Sequence, residues 1–96
     1  MKLKDIISII EKTAPVSYAY DWDNVGLMIG DVSVEVQSVM LTLDVTPAVV
    51  DEAARKGCQL IISHHPLIFK PISAITEQNH ISRKIIKLIT NNVSVF

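Results

Sequence analysis

Apolar residues recur at Leu3, Ile6, Ile7 and Ile10, with Lys2, Lys4, Asp5 and Lys12 between them, the three-and-four spacing of one helix face. The pattern predicts an amphipathic helix over about Leu3–Lys12, with Pro15 following its end. Tyr18–Asn24 mixes aromatic and acidic residues without a period. Gly26 and Gly30 then bracket the apolar run Leu27-Met28-Ile29, so a loop leading into a short strand is expected. Val36–Leu43, rich in β-branched and aliphatic residues and stopping at Asp44, reads as a strand. Thr46 and Pro47 supply a helix start, Thr46 as N-cap and Pro47 at the first helical position, where its missing N–H costs nothing. That helix runs to Lys56, and Gly57 suits the position just past its end. Leu60-Ile61-Ile62 is a short continuous apolar run of the kind found in strands covered on both faces. Beyond His64–Gln78, a third helix is predicted by Ile81, Ile85, Leu88 and Ile89 on one face, with Arg83, Lys84 and Lys87 largely outside it. Asn91-Asn92 ends it, and Val93–Phe96 begins another strand.

The order β–α–β–α–β predicts an α/β fold, a mostly parallel sheet with flanking helices and right-handed crossovers. No internal repeat or low-complexity segment interrupts it. A parallel strand seldom forms the bare terminus of a complete domain, so residues 1–96 are expected to be a single partial domain. The alternative is that Val93–Phe96 is the edge strand of a complete small protein.

Composition narrows the picture further. The 96 residues are 49% hydrophobic and 20% charged with a net charge of −1, enough for one small core and too balanced to attract nucleic acid or anionic lipid by charge alone. Lys56, Lys70, Arg83, Lys84 and Lys87 could form a basic face, but the last three are more simply the solvated side of a helix. No apolar run approaches the ~20 residues that span a bilayer. A single cysteine, Cys58, and the lack of an apolar signal core after Met1 fit a reducing, cytoplasmic setting.

In open α/β sheets ligands bind beyond the carboxyl ends of the strands. There the sequence places Asp44 after one strand and Ser63-His64-His65 after the next. Imidazole and carboxylate are ligands for zinc, iron, manganese or nickel. Consecutive side chains at the end of a strand diverge, so His64 and His65 suit two ions better than one. Ions ~3.5–4 Å apart would clamp a substrate oxygen and acidify a water for hydrolysis. A hydrogen-bonded structural pair, stiffened by Pro66, explains the same residues without metal. Asp44 is expected to bond backbone N–H groups at the helix start rather than a metal. Trp22, between Asp21 and Asp23, reads as a loop anchor, Cys58 as a small buried residue, His80 as exposed ahead of a helix, and Met28 and Met40 as core.

Ala14-Pro15, Asp21-Trp22-Asp23-Asn24-Val25-Gly26-Leu27-Met28-Ile29-Gly30, Leu43-Asp44-Val45-Thr46 and Leu60-Ile61-Ile62-Ser63-His64-His65-Pro66-Leu67-Ile68-Phe69 together resemble the N-terminal part of the NIF-three-like family, whose members are also called GTP cyclohydrolase I type 2 or dinuclear metal-binding proteins. The resemblance spans essentially the whole chain. It implies an α/β subunit in a toroidal hexameric ring, with two divalent metal ions on the inner side of each subunit and His64 and His65 matching two adjacent metal ligands. The resemblance places the next ligand, an Asp, just beyond the strand that Phe96 begins, and a His and a Glu near the C-terminus of the family's longer chains. The 96 residues hold none of these three. Alone they are expected to bind metal weakly or not at all, to lack activity, and to leave an apolar edge on the last strand.

Two functions follow as expectations. One is a two-metal hydrolase acting on a nucleotide-like small molecule, with no Gly-rich phosphate loop to select GTP. The other is a non-enzymatic metal-binding ring that presents surfaces to other proteins. Nucleic-acid binding inside a ring is a weaker third.

Overall fold

The computed structural model describes residues 1–14 and 24–96; the expected loop at Tyr18–Asp23 and the Trp22 anchor lie outside them. Helix α1 (Leu3–Thr13) is followed by strand β1 (Val39–Thr42), α2 (Pro47–Lys56), β2 (Leu60–Ser63), α3 (His80–Thr90) and β3 (Ser94–Val95). The strands lie in the order β1-β2-β3, each pair parallel. The expected α/β architecture is therefore present, a small parallel sheet with flanking helices.

The two crossover helices pack on one face of the sheet, where Val50, Ala53, Ile61, Ile85, Leu88 and Val95 form the main core. On the other face α1 brings Leu3 against Val36 and Leu60, with Ile6 and Ile7 beside them. Alternation along β2 explains the division. Ile61 points to α2 and α3, while Leu60 belongs to the cluster under α1. Both residues are fully buried, as a strand covered on two faces requires.

Local capping fixes the helix limits. Thr46 Oγ1 accepts from Val49 N at 3.2 Å, Pro47 follows, and Gly57 at φ +70 closes α2 while Cys58 N returns to Ala53 O. Asn79 Oδ1 accepts from Ile81 N and Ser82 N to start α3. Helix α1 lacks a side-chain cap at Lys2. Its first amides are instead met by a neighbouring turn, Leu3 N by Val34 O and Lys4 N by Val32 O, each at 2.9 Å.

Asp31 holds that turn. Its Oδ1 accepts from Ser33 N and Ser33 Oγ, and these bonds hold its carboxyl below the usual carboxylate range. A lowered folded-state pKa contributes stability above the ordinary value, and the contribution is lost as pH falls through the lowered one. Asp31→Ala is therefore expected to melt below the wild type at neutral pH. The gap should close in acid, once both folded and unfolded carboxyls are protonated, and circular-dichroism melts across pH check it. A gap that persists unchanged in acid would show that the carboxylate is not its source.

Three expectations need correction. The first strand begins at Val39 rather than Val36. Gln37 N and Ser38 N are taken by the Gln59 side chain, and Val36 N bonds Met1 O under α1. The last strand has no bare edge: Val95 pairs with Ile61 on one side and with Ile29, antiparallel, on the other. The run Leu27-Met28-Ile29 thus covers β3, and the open edge is β1, where Leu41 and Leu43 are 76% and 67% exposed. Ile89, expected with the buried face of α3, is 56% exposed and borders an open apolar groove with Met28, Ile72 and Ile75. Cys58 is buried, His80 is exposed, and Met28 and Met40 are half-buried against the main core, as their positions suggested. No helix among the described residues is long and apolar enough to cross a membrane.

Candidate metal centre

The parallel ladder does not stop at the last residue of β2. His64 N bonds Thr42 O at 3.0 Å and His65 N bonds Leu43 O at 2.9 Å. Both histidines are thereby fixed just past the carboxyl end of β2, beside the end of β1, where ligands approach such sheets. Both are exposed, and their rings lie 4.9 Å apart at a tilt of 49°.

Register brings Asp44 to the same place. Thr42 pairs with Ser63, so the residues two places on, Asp44 and His65, also face each other. Asp44 Oδ1 lies 2.7 Å from His65 Nδ1. The expectation that Asp44 bonds amides at the helix start is corrected here. Thr46 Oγ1 performs that task, and the Asp44 carboxylate is left to the imidazole.

The surrounding backbone is pinned. Thr42 Oγ1 donates to Asp44 O at 2.9 Å, and Ser63 Oγ donates to His65 O at 2.8 Å. Lys84 Nζ reaches from α3 to Val45 O at 2.9 Å. Asn24, at the end of the acidic stretch read as structural, donates through its amide to Ile68 O and braces the loop that follows the histidines. Neither Lys84 nor Asn24 is singled out as part of the site by sequence pattern, because their partners are backbone carbonyls far along the chain.

The donor set suits a divalent ion as far as it extends. Imidazoles are ligands for the borderline metals, and a ring whose other nitrogen meets a carboxylate is the usual state of a metal-binding histidine. No group of three or more His, Cys, Asp or Glu side chains placed to hold an ion occurs among the described residues. Three or four protein ligands are usual for zinc, so His64 and His65 by themselves do not make up a full ligand set. The apolar groove of about 1120 Å3 elsewhere on the molecule has no histidine in its wall. The two adjacent imidazoles and the Asp44 carboxylate are instead at the strand ends. Four of the five side chains of the candidate basic face are engaged, Lys84 as above. Lys56 pairs with Glu52, Lys87 with Asp51, and Arg83 reaches Glu77 O.

Comparison with known proteins identifies the family and the fold. The sequence model of the family Duf34/NIF3 (NGG1p interacting factor 3) matches residues 1–96. A Clostridium acetobutylicum protein named GTP cyclohydrolase 1 type 2 homolog is 49% identical over all 96 residues, which cover 36% of its own length. The crystal structure of Staphylococcus aureus protein SA1388 superposes with a TM-score of 0.95 at 45% identity, over 100% of this chain and 27% of that one. A Bacillus cereus protein related to NIF3 gives 0.93 at 40% identity, over 99% of this chain and 26% of the other. The chain therefore spans about a quarter to a third of the length of these relatives.

Proposed function

The chain belongs to the Duf34/NIF3 family, and from that premise we propose that His64 and His65 are the N-terminal ligands of a dinuclear divalent-metal centre in a hydrolase. The observation that supports this is the pair of exposed imidazoles side by side at the carboxyl end of β2, with His65 braced by Asp44. The ladder bonds to Thr42 O and Leu43 O hold the backbone of both histidines in place before any ion arrives. Bound there, a pair of divalent ions supplies Lewis-acid polarisation of a substrate oxygen and a water acidic enough to attack near neutral pH. A chain of the relatives' length would have room for the remaining ligands.

The substrate we propose is a small nucleotide-like molecule opened by water. The name of the Clostridium acetobutylicum relative supports this class. A second reading, a metal-binding ring scaffold without turnover, is favoured by the apolar side chains Val39, Leu41 and Leu43 exposed along the open edge strand. A homohexameric ring is the assembly we propose under either reading.

Metal content by plasma mass spectrometry, with mass by light scattering, tests both. The samples are this chain and a version extended to the relatives' length. About two ions per subunit are expected in the extended protein, and His64→Ala or His65→Ala should remove them while the ring persists. The 96-residue chain is expected to hold little metal. Metal-free extended protein would overturn the centre. A metal-loaded ring that hydrolyses none of a panel of nucleotides, and that falls apart when the histidines are replaced, would favour the scaffold.

A further inference from the structure

Among the described residues, only one of the two histidines has a carboxylate behind it. Asp44 Oδ1 stands 2.7 Å from His65 Nδ1, whereas the described residues offer the His64 ring no hydrogen-bond partner. An ionised carboxylate accepts hydrogen bonds and donates none. A neutral His65 must therefore carry its proton on Nδ1 and turn the bare lone pair of Nε2 outward.

Stability does not account for this pair. The two side chains are 59% and 60% exposed, and an exposed pair is worth little to the fold. Its geometry is nevertheless closely controlled. The carbonyls of Asp44 and His65 are each held by the hydroxyl two residues earlier, from Thr42 and Ser63, which are themselves register partners. Thr46 N also bonds Asp44 O, and Lys84 fixes the next carbonyl. Matched backbone clamps on the two strand ends thus support a solvent-exposed pair.

We infer that Asp44 is a positioning residue that fixes His65 in the Nδ1-protonated tautomer, aiming Nε2 as the ligating nitrogen, while the described residues place no such constraint on His64. The inference rests on the metal reading above for its purpose and on the carboxylate–imidazole contact for its geometry.

Long-range proton–nitrogen correlation spectra of the nitrogen-15-labelled 96-residue chain decide the matter without metal. They are recorded at about pH 8.5, above the ordinary histidine pKa of ~6.5. His65 is expected to show a protonated Nδ1 and an unprotonated Nε2, with His64 and His80 as internal comparisons. Asp44→Leu should release His65 to the tautomer mixture of an unpartnered histidine, and Asp44→Glu, which keeps a carboxylate, should largely restore the fixed form. Protonated Nε2 on wild-type His65, or an unchanged tautomer in Asp44→Leu, overturns the inference. Zinc titration of the extended protein then separates it from the parent reading. Asp44→Leu should weaken zinc binding about 10–100-fold. Equal affinity in Asp44→Leu and wild type sinks the role of Asp44 and leaves the centre standing. No zinc uptake by the wild type sinks the centre, and the spectra still judge the tautomer.

Discussion

Gly30→Ala is expected to lower stability by about 2–4 kcal/mol, an unusual cost for a single methyl group on an exposed residue. Two effects act together. Gly30 has φ +133, a conformation that L side chains rarely adopt. A β-carbon there would also stand 2.3 Å from Ser94 Oγ and 2.7 Å from Ser94 Cβ, and Ser94 is a buried residue of β3. The hydroxyl could rotate away, but the Ser94 β-carbon cannot move without β3. The neighbouring residue, Ile29, makes the antiparallel bridge to Val95, so relieving the clash pulls the covering segment off the sheet. Met28 N and Ile29 O would leave Val95 O and N unpaired, and an open strand edge invites association. Urea unfolding with light scattering should show both the loss and the self-association. Gly26→Ala, with φ +108 and nothing within 4 Å of the added carbon, and Gly57→Ala, at φ +70 and equally open, meet the backbone penalty alone. Adding Ser94→Ala to Gly30→Ala should recover only part of the loss, because the β-carbon contact remains. A Gly30→Ala protein that unfolds like Gly26→Ala would show that β3 yields more easily than its pairing implies.

What could be read from sequence follows the range of the interaction. The limits of α2 were legible because Thr46, Pro47 and Gly57 act within a turn of where they stand. The first strand was started three residues too early because the amides of Gln37 and Ser38 are claimed by the Gln59 side chain, a partner no local pattern announces. The covering of β3 was missed for the same reason, since Ile29 meets Val95 across most of the chain. Asp44 is the instructive intermediate case. Its type and its place after a strand drew attention, yet its role was assigned locally, to a helix start that Thr46 already serves. Asp44 and His65 stand at equal offsets from Thr42 and Ser63, and once those two are placed in register the carboxylate and the imidazole must meet. Equal offset after paired parallel strands is the signal that could have found the contact. The positions of His64 and His65 at a strand end were legible. The brace behind one of them needed the register.

The dependence of the site on that register can be tested from the core. Ile61 is fully buried, pairs with Met40 on one side and Val95 on the other, and joins the cluster under α2 and α3. Truncating such a side chain removes its transfer energy and leaves a cavity, so Ile61→Ala is expected to cost about 2–5 kcal/mol. That is a large share of the ~5–15 kcal/mol that holds a typical domain together. Ile61→Val, which removes one methyl, should cost about 0.5–1.5 kcal/mol. Leu41→Ala, on the neighbouring strand but 76% exposed, should change stability by less than about 0.5 kcal/mol. The hydrogen bonds that place His64 and His65 extend the ladder in which Ile61 sits, from Thr42 O and Leu43 O on β1. The fixed His65 tautomer should therefore disappear at the same denaturant midpoint as the helical signal, in wild type and in Ile61→Ala alike, with both midpoints shifted together in the variant. A His65 signature lost well before the helices would mean that the strand ends fray independently. The brace would then be too weak to position a ligand by itself, because two clamped carbonyls and one carboxylate cannot hold an imidazole once the ladder beneath them has opened.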